Sequence, residues 1–190
     1  MTKTVGIVLA GGQSRRFGSP KAFAKLGEQY FYERAKDALK ASCNEVIVVT
    51  RQYLLERFPA GVEVIIDEPE YAGLGPLAGI LSVMESVEAD RYAVLPCDMP
   101  CVDSQVMLKL MEHHDKGVTA VVLDGRYHPL VSIWDKQLKR AVKKSLENGQ
   151  LSVMKLLTHS DIMWINGNVL TGDEKQMFTN VNTPEALERG

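Results

Sequence analysis

The strongest constraint on this chain is an alternation of two patterns that runs through most of its length. Short aliphatic, β-branched runs at 4–9, 45–50, 62–66 and 91–96 are separated by stretches whose apolar residues recur at helical spacing. Strands and helices alternating in this way pack as a largely parallel sheet with helices on its faces, an α/β layered fold. The run at 45–50 is aliphatic without polar alternation, so both of its faces are expected to be buried. Two further runs, at 118–123 and 127–134, are separated only by Asp124, Gly125 and Arg126, which predicts a hairpin and an antiparallel departure within the sheet. His128 and Pro129 interrupt the second run near its start, so this arm is expected at a sheet edge or bent over a site.

Helices are expected at 29–42, around 106–111, at 135–147 and at 152–157, with one or two helical turns over 53–58. Another starts at Gly75 and Pro76, where proline suits the first helical position, with Leu77, Ile80, Leu81 and Met84 facing inward. A short strand at 162–165 leads into a polar loop over 166–175, and a last helix is expected from Pro184.

The first strand opens into LAGGQSRRFGSPK at 9–21. Gly11 and Gly12 have no Cβ, so their backbone can approach a ligand closely and turn successive N–H groups toward phosphate oxygens. Arg15, Arg16 and Lys21 follow with no acid among them, in a chain whose net charge is −2. That local excess of positive charge points to an anionic ligand. The stretch is neither a P-loop nor a Gly-x-Gly-x-x-Gly dinucleotide fingerprint.

Two acids stand at later strand ends. Asp67 opens onto a loop containing Gly73, Gly75 and Pro76, where it can meet a ligand or simply form the turn before the proline. The glycines and the free N–H groups of the following helix make this loop a candidate for holding a base or ribose. Asp98 lies between Pro96 and Pro100 at the end of what should be a central strand, with no basic residue beside it in sequence. A carboxylate displayed there suits Mg²⁺, which binds through one or two carboxylates and the substrate's phosphates. Asp103 and Ser104 are better placed to cap the next helix. Near the C-terminus Asn180 and Asn182 alternate about Val181, so in extended chain both amides face one way. They can fit a polar ring or cap the last helix.

A length of 190 residues suits one domain spanning 1–190, and 45% hydrophobic with 24% charged residues is ordinary for a soluble globular protein. With 22 basic against 24 acidic residues, neither nucleic-acid nor membrane-surface binding is expected. No apolar run reaches the length of a membrane span, and the N-terminus enters a strand without signal-peptide architecture, so a cytoplasmic location is expected. Cys43, Cys97 and Cys101 fit a reducing compartment. No histidine or further cysteine sits near Cys97 and Cys101 to complete a zinc set, which leaves a small buried residue and a loop residue.

Four blocks taken together resemble the molybdenum cofactor guanylyltransferase family (molybdopterin-guanine dinucleotide biosynthesis protein A) of the nucleotidyltransferase superfamily. They are residues 9–21, the Asp67 strand end with GPLAG at 75–79, CDMP at 97–100, and NVNTPE at 180–185. The resemblance implies a three-layer α/β/α Rossmann-like nucleotidyltransferase fold with a mostly parallel mixed sheet. It implies transfer of GMP from GTP to the terminal phosphate of molybdopterin, giving molybdopterin guanine dinucleotide and pyrophosphate, with Mg²⁺ as cofactor. Leu9, Ala10, Gly11 and Gly12 would meet GTP through their backbone, Lys21 its phosphates and Asp67 the nucleotide, while Asp98 would hold the metal. Arg15 would support the leaving pyrophosphate, and Asn180 and Asn182 would contact substrate; passing contacts with other proteins of cofactor synthesis also follow. His128 can touch the substrate or stabilise the bend of its arm, and the resemblance favours the substrate. Pro20 stands where many relatives have Asp, and no role is carried to the strand end at Val49, Thr50 and Arg51. Two other readings remain: transfer to another phosphorylated acceptor, as in sugar-phosphate or cytidylyl transfer, and a GTP-binding regulatory protein without turnover.

Overall fold

The structure is a computed structural model that describes residues 2–12 and 17–183. In chain order it runs through β1 (Thr4–Leu9), the two-residue strands β2 (Lys25–Leu26) and β3 (Gln29–Tyr30), α1 (Phe31–Lys40), β4 (Glu45–Thr50) and β5 (Val64–Ile66). Then come α2 (Pro76–Ser86), β6 (Arg91–Pro96), α3 (Ser104–Glu112), the long pair β7 (Val118–Leu123) and β8 (Arg126–Asp135), and α4 (Leu138–Glu147). The remainder is α5 (Val153–Thr158), β9 (Ile162–Asn166), α6 (Gly167–Leu170) and α7 (Glu174–Met177).

Seven strands form one sheet in the order β5-β4-β1-β6-β8-β7-β9. The β1–β4, β1–β6, β4–β5 and β7–β9 pairs are parallel, and β8 alone runs against both of its neighbours. The sheet is therefore mixed and mostly parallel. Strand alternation sorts its side chains into two cores. Val8, Val46, Val48, Ala93, Leu95 and Ile133 face α1 and α3, whereas Val5, Ile7, Ile47, Val49, Val94 and Trp134 face α2, α4 and α5. This makes the three-layer α/β/α arrangement, and each helix buries the apolar stripe that its spacing supplies. Gly6 lets α1 press against β1, since a Cβ there would stand 3.2 Å from Leu39 Cβ and 3.1 Å from Val46 Cγ2.

The chain leaves β1 toward β4 and β5, then returns across β1 to β6 on its other side. In open α/β sheets such a reversal leaves a crevice at the carboxyl ends of the strands. No described helix is long and apolar enough to cross a membrane.

Several boundaries differ from expectation. Gln29 and Tyr30 belong to β3 rather than to a helix, and Tyr30 caps α1 with its N–H donated to Glu33 Oε2 at 2.8 Å. The third strand starts at Val64 rather than at 62. The helix expected from Asp135 starts at Leu138, because Asp135 remains in β8 opposite Arg91 and accepts the Gly117 N–H at 2.8 Å. The expected loop over 166–175 takes in the last residue of β9 and the single-turn helix α6, and overlaps the start of α7, which continues to Met177.

The hairpin arm also corrects one of its alternatives. β8 is internal, between β6 and β7, and β9 occupies the edge. Its first half nevertheless leaves the regular ladder. The β6–β8 pairing ends at Val94 and Ser132, and on the other side Ala120 pairs with Ser132 while the next residue, Val121, pairs with His128. Pro129, Leu130 and Val131 are thus bulged out of register, where the missing N–H of proline removes no ladder bond. The last helix expected from Pro184 lies outside the described residues.

Candidate active site

A cleft of about 620 Å³ opens at the carboxyl ends of β1, β4 and β6. Its walls include residues 9–12, Lys21, Val49, Arg51, Asp67, Gly75, Pro76, Asp98, the bulged half of β8 and Asn180. The ladders run one residue past the strands, with Ala10 N–H donating to Val49 O at 2.8 Å and Cys97 N–H to Leu9 O at 3.1 Å. This fixes the backbone from which Gly11 and Asp98 depart.

α2 forms the second wall. Its N-cap, Gly75, has φ of 92°, a conformation that favours glycine, and Pro76 supplies the preset first helical residue. At Gly79 an added Cβ would lie 3.0 Å from Leu9 Cδ2 and 3.3 Å from Val49 Cγ1, so the helix sits tightly on the strand ends. Asp67 lies against the same turn, its Oδ2 accepting the Gly73 N–H at 3.1 Å. Burial pushes its carboxyl above the usual carboxylate range, partly offset by that hydrogen bond and by the positive charge of Arg51.

On the opposite wall, residues far apart in sequence converge. Asp98 Oδ2 faces Lys21 Nζ at 3.4 Å, and its Oδ1 accepts from Asn180 Nδ2 at 3.4 Å. Lys21 Nζ donates to Asn182 Oδ1 at 2.7 Å, and Arg126 donates to Asn180 Oδ1 at 3.2 Å. Val181 N–H donates to Asp98 O at 2.8 Å while the Val181 side chain is buried. The two amides do face one way about Val181, and the face they share is the Lys21–Asp98 pair. Asp103 caps α3 through Val106 N–H at 3.0 Å, which leaves Asp98 outside that cap.

Lys21 is held from beneath. It begins a 3₁₀ turn, Lys21–Phe23, and Phe23 packs against Tyr30, Tyr32 and Phe58 at centroid distances of 6.0, 5.7 and 4.8 Å. The Arg57 guanidinium lies 4.1 Å from the centroid of the Phe23 ring.

Among the described residues no group of three or more His, Cys, Asp or Glu could hold a metal. Asp98 lines the cleft. Both of its hydrogen bonds are long, and its side chain is 26% exposed, so the carboxylate has capacity for a cation whose other ligands are phosphate oxygens and water. Burial and then the neighbouring Asp98 charge push the thiol of Cys97 up to about 12.

The cleft thus gathers Leu9, Ala10, Gly11, Gly12, Lys21, Asp67, Asp98 and Asn180, with Asn182 joined through Lys21. Arg15 and Arg16 lie outside the described residues. His128 lines the cleft, is buried, and has its ring 5.7 Å from Phe178. Burial, then the charge of Arg126, lower its pKa, which favours the neutral imidazole. Arg51 and Arg126 are wall residues that the sequence did not single out. Arg51 Nε donates to Gly11 O, but as a lone cation after a strand it carried no local signal.

A glycine-backed switch-point cleft with a lysine–carboxylate pair on its far wall is built to handle nucleoside triphosphates, and the class it defines is the nucleotidyltransferases. Residues 6–162 match the MobA-like NTP transferase domain, and the chain belongs to that family. It is 38% identical to a protein of Geobacillus sp. strain WCH70 named "Probable molybdenum cofactor guanylyltransferase", over 99% of this chain and 98% of the relative. A protein of the same name from Bacillus cereus strain Q1 is 38% identical over 97% of this chain and 94% of its own length. The solved structure of molybdopterin-guanine dinucleotide biosynthesis protein A from Archaeoglobus fulgidus shares the fold, with a TM-score of 0.80 and 22% identity over 97% of this chain and 95% of that one. The protein is an enzyme, a nucleotidyltransferase of this family.

Proposed function

We propose that the enzyme transfers GMP from GTP to the terminal phosphate of molybdopterin, forming molybdopterin guanine dinucleotide and pyrophosphate. The observation that carries this reading is the convergence of Lys21 and Asn180 on Asp98 at the end of the central strand, with Asn182 holding Lys21. The names of the full-length relatives supply the substrates.

In the reaction an acceptor phosphate oxygen attacks the α-phosphorus in line with departing pyrophosphate. One P–O bond forms as the α–β bridge breaks, and the electron pair leaves with pyrophosphate. The protein's task is to align the two phosphates and to neutralise the charge between them. A divalent cation held by Asp98, Mg²⁺ in our reading, would supply charge neutralisation on the nucleotide phosphates. Lys21 exchanges its 3.4 Å contact with Asp98 for phosphate oxygens, while Asn182 keeps it oriented. Gly11 and Gly12 present backbone to the nucleotide, and Arg126, tied to Asn180, faces the incoming phosphate. Arg15 is assigned to the leaving group. No general base is required, because the attacking phosphate is already ionised near neutral pH.

The test is product analysis by mass spectrometry after incubation with molybdopterin, Mg²⁺ and each nucleoside triphosphate in turn. The guanine dinucleotide from GTP alone is the expected product. A cytosine or uracil dinucleotide would retain nucleotidyl transfer and discard the guanylyl assignment. GTP bound without any product would favour a regulatory protein.

A further inference from the structure

We propose that Arg51 reads the base of the bound nucleotide and is the residue through which this site selects guanine; the proposal rests on the guanylyl-transfer reading above. One part of the cleft is an apolar slot lined by Leu9, Val49 and Pro76. Gly79 closes its floor, packed so tightly on Leu9 and Val49 that an added Cβ would stand 3.0 and 3.3 Å from them. Two ionisable groups border that slot: Arg51, which follows β4, and Asp67, which follows β5.

Each is held by backbone on one side. Arg51 uses Nε on Gly11 O, which leaves its terminal amino groups to meet a ligand, and Asp67 uses Oδ2 on the Gly73 N–H. The site therefore offers a fork of donors and a carboxylate acceptor around one slot. Guanine matches both: O6 and N7 accept from an arginine fork, while N1–H and the 2-amino group donate to a carboxylate. Adenine places its 6-amino donor where O6 would be, facing the arginine donors, and pyrimidines have no N7. A positive fork beside the slot thus favours guanine over the other three bases.

A purely structural arginine would brace the Gly11 carbonyl and serve every nucleotide alike. Equilibrium binding without acceptor, in Mg²⁺, separates the two roles. The probes are GTP, ATP, CTP and 7-deaza-GTP, titrated against the wild type, Arg51→Lys and Arg51→Met. The wild type is expected to hold GTP roughly tenfold more tightly than 7-deaza-GTP, which lacks the N7 acceptor. In Arg51→Met the preference for GTP over ATP is expected to fall by roughly 5- to 100-fold, beyond any weakening that CTP shares through the lost brace on Gly11. Arg51→Lys, which keeps the charge without the fork, is expected to lose most of the same preference. Equal weakening of all nucleotides in Arg51→Met, or equal binding of GTP and 7-deaza-GTP by the wild type, would overturn the assignment, the latter needing no variant to fold. A wild type with no preference for GTP would overturn the guanylyl reading as well, whereas a GTP preference indifferent to Arg51 and to N7 overturns this inference alone.

Discussion

At the residue scale the site is centred on the pairing of Lys21 with Asp98. Asp98→Ala is expected to lower turnover by at least about 100-fold, the range for removing a group that stabilises transition-state charge. The same variant is expected to change stability by less than about 1 kcal/mol, as for a partly exposed ion pair, so a thermal melt beside the rate assay separates chemistry from folding. Asp67 gives a prediction of opposite sign. Its carboxyl is raised by burial, so the ionised form is disfavoured in the folded state, at a cost that is full above its folded pKa and fades as pH falls toward the ordinary carboxylate value. Asp67→Asn should therefore raise the melting temperature of the nucleotide-free protein at neutral pH, and the gain should disappear in acid. His128 adds a different window. Its depressed pKa means that the unfolded chain takes up the proton first, so stability falls as pH drops below the ordinary histidine value of about 6.5. His128→Phe should flatten that part of the stability profile. Asp98 was legible in the sequence because two prolines and a strand end frame it, and the pairing with Lys21 was not, because no local pattern encodes contact across 77 positions.

At the element scale, two short devices place the site. The 3₁₀ turn carrying Lys21 is anchored by Phe23 in its aromatic nest, so Phe23→Ala is expected to destabilise the fold by about 2–3 kcal/mol, toward the low end for a partly buried ring. Because the loss lies beneath Lys21, the catalytic rate measured well below the melting temperature should fall as well. The hairpin between β7 and β8 turns on Asp124 and Gly125, both left-handed at φ of 48° and 75°, the type I′ geometry that suits strand twist. Gly125→Ala should cost about 1 kcal/mol through that backbone strain, measurable by denaturant unfolding. The hairpin was readable from Asp124, Gly125 and Arg126. The place of β8 inside the sheet was not, because a proline near a strand start is compatible with an edge or with a bulge, and only the long-range register with β6 decides between them. Glycines at 73, 75 and 79 announced the α2 wall, whereas α6 and α7, four residues each, are too short for periodicity to reveal.

At the scale of the whole molecule, the order β5-β4-β1-β6 makes the cleft and the antiparallel β8 closes one side of it. Strand ends at Leu9, Thr50, Ile66 and Pro96, 16 to 87 residues apart in sequence, thereby present backbone, cation and carboxylate to one volume of about 620 Å³. The layered architecture was legible because parallel strands buried on both faces write continuous aliphatic runs into the chain. The cleft's lining was legible where a local pattern marks it, the glycine pair with its trailing cations, the acids at strand ends and the paired amides, which is why Gly11, Lys21, Asp67, Asp98 and Asn180 were singled out while Arg51 and Arg126, with no such pattern, were not. We propose that this cleft performs acceptor-dependent guanylyl transfer with Asp98 at the reacting phosphates. It is tested most directly by following pyrophosphate release from GTP, with Mg²⁺, with and without molybdopterin, in the wild type and in Asp98→Ala. Release that requires the acceptor and is lost in the variant is the predicted result. Release at an undiminished rate from Asp98→Ala, or none from the wild type with the acceptor present, would contradict the account.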